Sequence, residues 1–292
     1  MNLTGPVFVG TDLTAASAEA LRQAHDLAIG LSSKLIVGHV LPEFPSVRML
    51  FPQWAGTDAD AHEVLMNKAL VAVEQAVSDT LGIGPADWQL VLDTGTPHSG
   101  LLTQAEAVGA GVIVTGPGRV ADRVVRHATV PVLVARSSPR GGVVGATDFS
   151  DPSLPALATA AFEARRRHSR LHLVHVVDIS PYTLAGAMNG GFTYLGGPPA
   201  LQALDKVQSD ARERLQQKLS EFAIEGEVVA VIGAASSMIL DLAESSRAEL
   251  ICIGTHGRSG LDRLTMGSTA EAIVHSAPCS VLVVRLARAN QQ

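Results

Sequence analysis

Gly254 and Gly257, followed after nine intervening residues by Gly267-Ser268, have the composition and spacing of a loop that receives an anion. Glycine admits backbone angles that a side chain forbids and lets a ligand approach the main chain closely. Ser268 has the chemistry of an N-cap, and Glu271 three residues on completes a capping box. The first turn of a helix starting there offers free N–H groups and the positive end of the dipole to phosphate oxygens. Thr255, His256 and Arg258 lie inside the loop. Arg258 and Arg263 flank the expected phosphate seat, with Arg263 reading rather as a solvated arginine, and His256 is placed to meet phosphate or solvent. The loop has no Gly-Lys-Ser/Thr, so it is not a P-loop, and it lacks the dinucleotide fingerprint Gly-x-Gly-x-x-Gly.

The elements that must position this loop can be read on either side of it. Glu249–Ile253 is a short apolar run with the character of a buried strand, and Ser268–Ser276 has the make-up of a helix. The pattern extends backwards: strand 142–146, helix 152–168, strand 171–177, loop 178–200, helix 201–222, strand 227–232 and helix 236–246, with strand 280–285 closing the series. Five short strands separated by helices, without clean alternation, imply a parallel sheet buried on both faces. In such a sheet the ligand lies beyond the carboxyl ends of the strands, at a switch point. Thr147-Asp148, His175-Val176-Val177 and the glycine loop should meet there.

The chain also repeats itself. Gly10-Thr11-Asp12-Leu13-Thr14 matches Ala146-Thr147-Asp148-Phe149-Ser150 at an offset of 136, and the match runs through His39-Val40 on His175-Val176. A second block matches at an offset of 138 and lays Val112–Gly116 on Leu250–Gly254. So long a period means two copies of one domain rather than a solenoid. The polar run Ser137–Gly142 marks the joint, giving domains 1–138 and 139–292. The first copy departs from the second at the loop. Fourteen residues separate Gly116 from Pro131, against 25 between Gly254 and Ser280. With Gly118 placed on Gly267, Arg119 replaces Ser268, so the first domain is expected to be nucleotide-free or differently liganded.

Composition excludes several classes. Over 292 residues the formal charge is −6, which argues against nucleic acid as a partner. An apolar share of 47 % is ample for two cores. Cys252 and Cys279 sit in apolar runs and read as buried thiols of a reducing cytoplasm rather than a disulfide or metal site. Neither a signal peptide nor a membrane span is expected.

Both copies resemble domains of the universal stress protein family, and the chain is similar to its tandem members. The resemblance rests on Ala146–Ser150, Leu173–Val176, Gly254–Ser268 and Val281–Val284. It implies two tandem open parallel five-stranded sheets with helices on both faces, Rossmann-like and akin to the adenine-nucleotide alpha-hydrolases. It also implies ATP as ligand, with Mg²⁺ or Mn²⁺ held by the phosphates rather than by a protein ligand cluster. Ala146, Thr147 and Asp148 would line the adenosine pocket, and Val176 would offer backbone groups to adenine. Gly254 and Gly257 would lie along ribose and phosphate, while Gly267, Ser268 and Thr269 would hold the phosphates. The family pairs domains through the last strand, here strands 131–136 and 280–285, and a further homodimer fits the same pattern.

No nucleophile motif, cysteine–histidine pair or metal cluster stands out. The expectation is therefore a nucleotide-dependent stress-response regulator, not an enzyme, with at most slow ATP hydrolysis and an unidentified protein partner. The alternatives are a scaffold that uses the fold without nucleotide or with another small ligand, and, less favoured, an adenylyl-transferring enzyme. Several single residues carry blander expectations. Asp12 and Asp148 read equally as caps of the following helix. His39 and His175 read as packed core histidines, and Arg165-Arg166-Arg167 as a solvated face that complements a helix dipole. The aromatic-bearing loops 42–60 and 180–200 read as lids or partner surfaces, the second bordering the nucleotide site.

Overall fold

The computed structural model describes residues 3–43, 58–139, 141–178, 198–255 and 266–285. The chain divides into two compact units between Arg136 and Ser137. The first runs β1 (Val7–Gly10), α1 (Ala15–Gly30), β2 (Leu35–Leu41), α2 (Asp58–Leu81), β3 (Gln89–Thr94), α3 (Pro97–Ala107), β4 (Val112–Thr115), α4 (Arg119–His127) and β5 (Val132–Val134). The second runs β6 (Val143–Ala146), α5 (Leu154–Arg167), β7 (Leu171–Val177), α6 (Pro198–Phe222), β8 (Gly226–Ile232), α7 (Ala235–Ser245), β9 (Leu250–Gly254), α8 (Ser268–Ser276) and β10 (Ser280–Val284).

Within each unit all pairings are parallel, in the orders β3-β2-β1-β4-β5 and β8-β7-β6-β9-β10. The chain reverses direction of travel across the sheet between β1 and β4, and again between β6 and β9, so each unit has a crevice at that point. The repeat is visible in the register. Val7 pairs with Leu35 as Val143 pairs with Leu171, and Ile113 with Val132 as Ile251 with Val281. The offset between copies is 136 at the first strand, 138 at the fourth and 149 at the fifth. The 11 residues that domain two has in excess therefore lie between its last two strands.

Apolar spacing explains the helices. In α5, Leu157, Ala160, Ala161 and Ala164 are buried, and in α6 Ala211, Leu215 and Leu219 at i, i+4, i+8 are buried. The expected α6 stripe is shorter than its sequence periodicity implies, because Val207 is 47 % exposed. A 25-residue helix is about 37 Å long, whereas a 7-residue strand spans about 23 Å, so α6 is longer than the strands it packs on. That helix begins at Pro198, so the end of the expected 178–200 loop is helical. The rest of that loop, and residues 44–57 of the other, lie outside the described residues.

The basic run of α5 is not a solvated face. Glu163, its side chain 2 % exposed, accepts Arg166 Nη2 at 2.6 Å and Arg167 Nε at 2.9 Å. Arg167 Nη1 reaches Glu249 Oε2 at 3.2 Å, and the Ser169 hydroxyl donates to the same carboxylate. Arg165 donates to the Phe222 carbonyl. The i,i+3 and i,i+4 spacing of Glu163 to the arginines permits the pairs, and the buried Glu163 requires them. Both cysteines are buried free thiols, and burial pushes the Cys252 thiol well up, with Glu163 adding to the effect.

Glu163→Gln removes the buried counter-charge from Arg166 and one of two from Arg167, which keeps Glu249, and should destabilise the second unit by about 3–5 kcal/mol, read as a lower urea midpoint of its transition. His172, at the start of β7, is held below its ordinary pKa first by burial and then by Arg170. Glu227, 3.5 Å away without hydrogen-bond geometry, opposes the shift. The unfolded chain then takes the proton at a higher pH than the folded one. The stability this neutral histidine contributes is present above about pH 6.5 and is lost as pH falls below it. His172→Phe should reduce the drop in melting temperature between pH 7 and pH 5.

Candidate functional site

The second unit's crevice begins where β6 stops. β6 pairs with β7 only as far as Ala146↔Val174, while β7 continues to Val177. The next backbone bond, Thr147 N–H to Val174 O at 3.0 Å, is the last between these chains. Val177 turns its carbonyl to Gly233 on the β8 side. Residues of a parallel strand alternate the direction of their backbone groups, so Val176 faces the side that β6 has left.

Leaving β6, the chain folds into a tight polar turn. Thr147, 7 % exposed, shares a 2.7 Å hydroxyl bond with Ser153, and its oxygen accepts Phe149 N–H at 2.9 Å. Asp148 Oδ1 accepts Ser150 N–H at 3.0 Å and the Ser150 hydroxyl at 2.5 Å. Asp148 is thus the centre of an Asx turn, not a helix cap. α5 has Ser153 as its N-cap residue, with no side-chain cap bond. His175 is buried, as a packed core histidine should be, and it also braces the turn, since its Nδ1–H donates to Thr147 O at 2.8 Å. That bond fixes the protonated nitrogen and ties β7 to the end of β6.

Phe149 adopts φ +62°, a left-handed conformation unusual for a bulky side chain. Its ring stacks on His175 with centroids 4.6 Å apart, and the Arg214 guanidinium of α6 lies 4.4 Å from the ring centre. Sequence reading missed this stack, since α6 and the turn are some sixty residues apart. The first unit repeats the turn almost atom for atom. Thr11 bonds Ser17 at 3.1 Å, Asp12 Oδ1 accepts Thr14 N–H at 3.1 Å, Leu13 has φ +65°, and His39 Nδ1–H donates to Thr11 O at 2.8 Å. Burial would raise the Asp12 carboxyl, but the Thr14 hydroxyl and N–H outweigh it and hold its pKa below the usual value. At the place of Phe149 the first unit has Leu13, 40 % exposed.

The third segment leaves β9 at Thr255, 4 % exposed, whose N–H donates to Val284 O at 3.2 Å. It returns at Gly267, whose N–H donates to Thr255 O at 2.9 Å. The two ends of the loop are thus pinned together beside the start of α8. His256, Gly257, Arg258 and Arg263 lie outside the described residues. The helix start differs from the expected capping box. Gly267, extended at φ −64° and ψ 145°, is the N-cap of α8; Ser268 is the first helical residue, and no side chain caps the helix. With the cap at 267, Glu271 sits one place too late for a capping box. It instead donates its N–H to Gly267 O at 3.0 Å. The N–H groups of Ser268, Thr269 and Ala270 therefore have no capping side chain. Gly254, a strand residue, does not serve left-handed geometry: a Cβ there would lie 3.0 Å from Pro152 O, so it admits the start of α5.

The carboxyl ends of neighbouring strands therefore carry a carboxylate turn from Thr147-Asp148 after β6, the open edge of Val176 on β7 and, after β9, an uncapped helix start at Ser268-Thr269. Ala146 is the last residue of β6 beneath them. The donor set at α8 suits phosphate oxygens, and the turn supplies acceptors for hydroxyls, so the residues present fit a nucleotide. Among the described residues, no group of three His, Cys, Asp or Glu side chains could hold a metal ion, and no helix is long and apolar enough to cross a membrane.

The model of the universal stress protein family matches residues 4–136 and again 141–285. The chain belongs to the universal stress protein family. A universal stress protein of Methanocaldococcus jannaschii is 30 % identical over 143 residues, covering 49 % of this chain and 81 % of the relative. Universal stress protein A homolog 1 of Coxiella burnetii is 34 % identical over 143 residues, covering 49 % and 94 %. Each relative therefore aligns with half of this tandem chain. Along its whole length the fold is that of a universal stress protein crystal structure from Archaeoglobus fulgidus. That likeness has a TM-score of 0.64 at 19 % identity and covers 97 % of this chain and 98 % of the other. Two universal stress protein domains thus share one turn geometry and differ in their loops. Thr147→Val should cost the second domain about 1–3 kcal/mol by leaving Phe149 N–H without its acceptor, and Thr11→Val should cost the first a similar amount. Denaturant unfolding of each variant measures this.

Proposed function

We propose that the chain is an ATP-binding regulator of the stress response with one live site, in the second domain. The observation that carries this reading is the Thr255–Gly267 pin. It holds an uncapped α8 start, with Ser268 and Thr269, at the end of β9, the strand that neighbours β6 and its Asp148 turn. Phosphates would rest on the N–H groups of Ser268 and Thr269, close against Gly267, and adenosine would lie against Ala146, Thr147, Asp148 and Val176. His256, Gly257 and Arg258 belong to the same reading, as does a Mg²⁺ or Mn²⁺ ion carried by the phosphates. The first domain keeps the aspartate turn but replaces Ser268 by Arg119, and the reading gives it no ATP.

No general base is assigned, so the protein is read as a binding protein with slow hydrolysis at most. A partner protein would sense the bound state, in the cytoplasm, where two buried free thiols are at home. The reading includes pairing of the copies through strands 131–136 and 280–285, since an open apolar edge strand calls for a partner, and a homodimer of the tandem chain. A scaffold holding another small ligand is the second reading, favoured by the survival of the turn in the first domain without its loop.

Calorimetric titration with ATP tests the proposal. The intact chain should bind about one ATP, and Gly267→Val/Ser268→Ala should bind none. Valine accepts the φ of −64° at position 267, so the fold should survive. Two ATP per chain would return the nucleotide to the first domain, and no ATP bound to a folded chain would leave the scaffold reading.

A further inference from the structure

α4 and α8 are one helix in two copies. Both have a glycine N-cap, Gly118 or Gly267, and their buried positions coincide: Ala121, Val124 and Val125 against Ala270, Ile273 and Val274. Their outer faces differ. α4 carries Arg119, Arg123 and His127 at i, i+4 and i+8, where α8 has Ser268, Ala272 and Ser276. The neighbouring helix repeats the contrast, for His98 of α3 stands at the place of Ser236 in α7. Four basic residues thus replace four small neutral ones on one scaffold, and the fold does not need them.

Arg123 and His127 lie near His98, and Arg119 continues their stripe one turn towards the start of α4. His98 is held below its ordinary pKa first by burial and then by the charges of Arg123 and His127, which face it from α4. Like charges at i,i+4 on a helix oppose folding. Among the described residues Arg119, Arg123 and His127 make no ion pair. Asp122, the one acid of α4, stands at i+3 from Arg119 and a turn before Arg126, and it makes no ion pair with Arg119. Arg119, Arg123 and His127 are exposed, in a chain whose net charge is −6. An uncompensated basic cluster on an acidic protein is a site for an anion.

We infer that the first domain binds a phosphate chain along Arg119, Arg123 and His127, with His98 beside it. The stripe covers eight residues of helix rise, about 12 Å, which suits several linked phosphates rather than one. Guanidinium forks match phosphate oxygens bidentately. The site goes beyond the nucleotide reading of the second domain and does not depend on it. The phosphate chain could be free polyphosphate or the tail of a nucleotide.

Calorimetry on the full chain tests this with inorganic tripolyphosphate, ATP and, as a carboxylate control, oligoglutamate. The variants are Arg119→Ser/Arg123→Ala, which installs the residues of the sister helix, the single Arg123→Ala, and Gly267→Val in the second domain. The expected result is a loss of tenfold or more in tripolyphosphate affinity in both first-domain variants, each also made on the Gly267→Val chain so that the second domain's phosphate seat does not contribute, with binding that weakens steeply as salt is raised. An ATP site lost in the same first-domain variants identifies a nucleotide tail; ATP binding untouched by them identifies free polyphosphate. Unchanged tripolyphosphate affinity in the first-domain variants, or oligoglutamate bound as tightly, overturns the inference. Failure of ATP to bind the second domain would show separately, as identical ATP isotherms for the intact chain and Gly267→Val.

Discussion

β6 ends three residues before β7 does, and the second domain's site depends on that mismatch. Backbone polar groups that lose a strand neighbour must find another partner. Thr147 finds Val174 and His175, Asp148 gathers Ser150, and the peptide of Val176 is left on the open side. The same short first strand recurs in the first domain, where Thr11, Asp12 and His39 repeat the solution. The turn is thus a property of the sheet's edge, present in both copies whatever else each copy has become.

What distinguishes the copies is the connection between the fourth and fifth strands. Eleven additional residues let domain two leave β9 at Thr255, return at Gly267 and still enter its last helix with the buried face in register. Domain one makes the same passage through Gly116, Pro117 and Gly118, where Gly118 has φ 131°, a backbone that glycine tolerates best. A shorter loop brings the helix start close and gives its outer face a different chemistry. Serine and alanine in one domain and arginine and histidine in the other are choices made on an unchanged scaffold.

Buried charge marks the opposite end of the second domain. Glu163, Arg166, Arg167 and Glu249 join α5 to the entry of β9, and Cys252 lies close enough for Glu163 to raise its thiol further. Such a cluster contributes little net stability but penalises any packing that separates its members. It fixes α5 against β9, and α5 begins at the turn that carries Asp148, so the ionic network and the crevice are two ends of one rigid helix.

The strand–helix alternation, the tandem repeat and the burial of both cysteines were legible in the sequence, because apolar periodicity and a 136-residue self-match depend only on local residue type. Thr11-Asp12 and Thr147-Asp148 could likewise be singled out, since the two copies carry them at one offset. Their role as Asx turns rather than helix caps depended on where the strand stops. The place of the α8 cap turned on a single residue, Gly267 for Ser268, which spacing alone does not resolve. The packing of Gly254 against Pro152, the Arg214–Phe149–His175 stack and the pairing of the arginine run with Glu163 required the tertiary structure, because each joins or orients groups through contacts that no local pattern records.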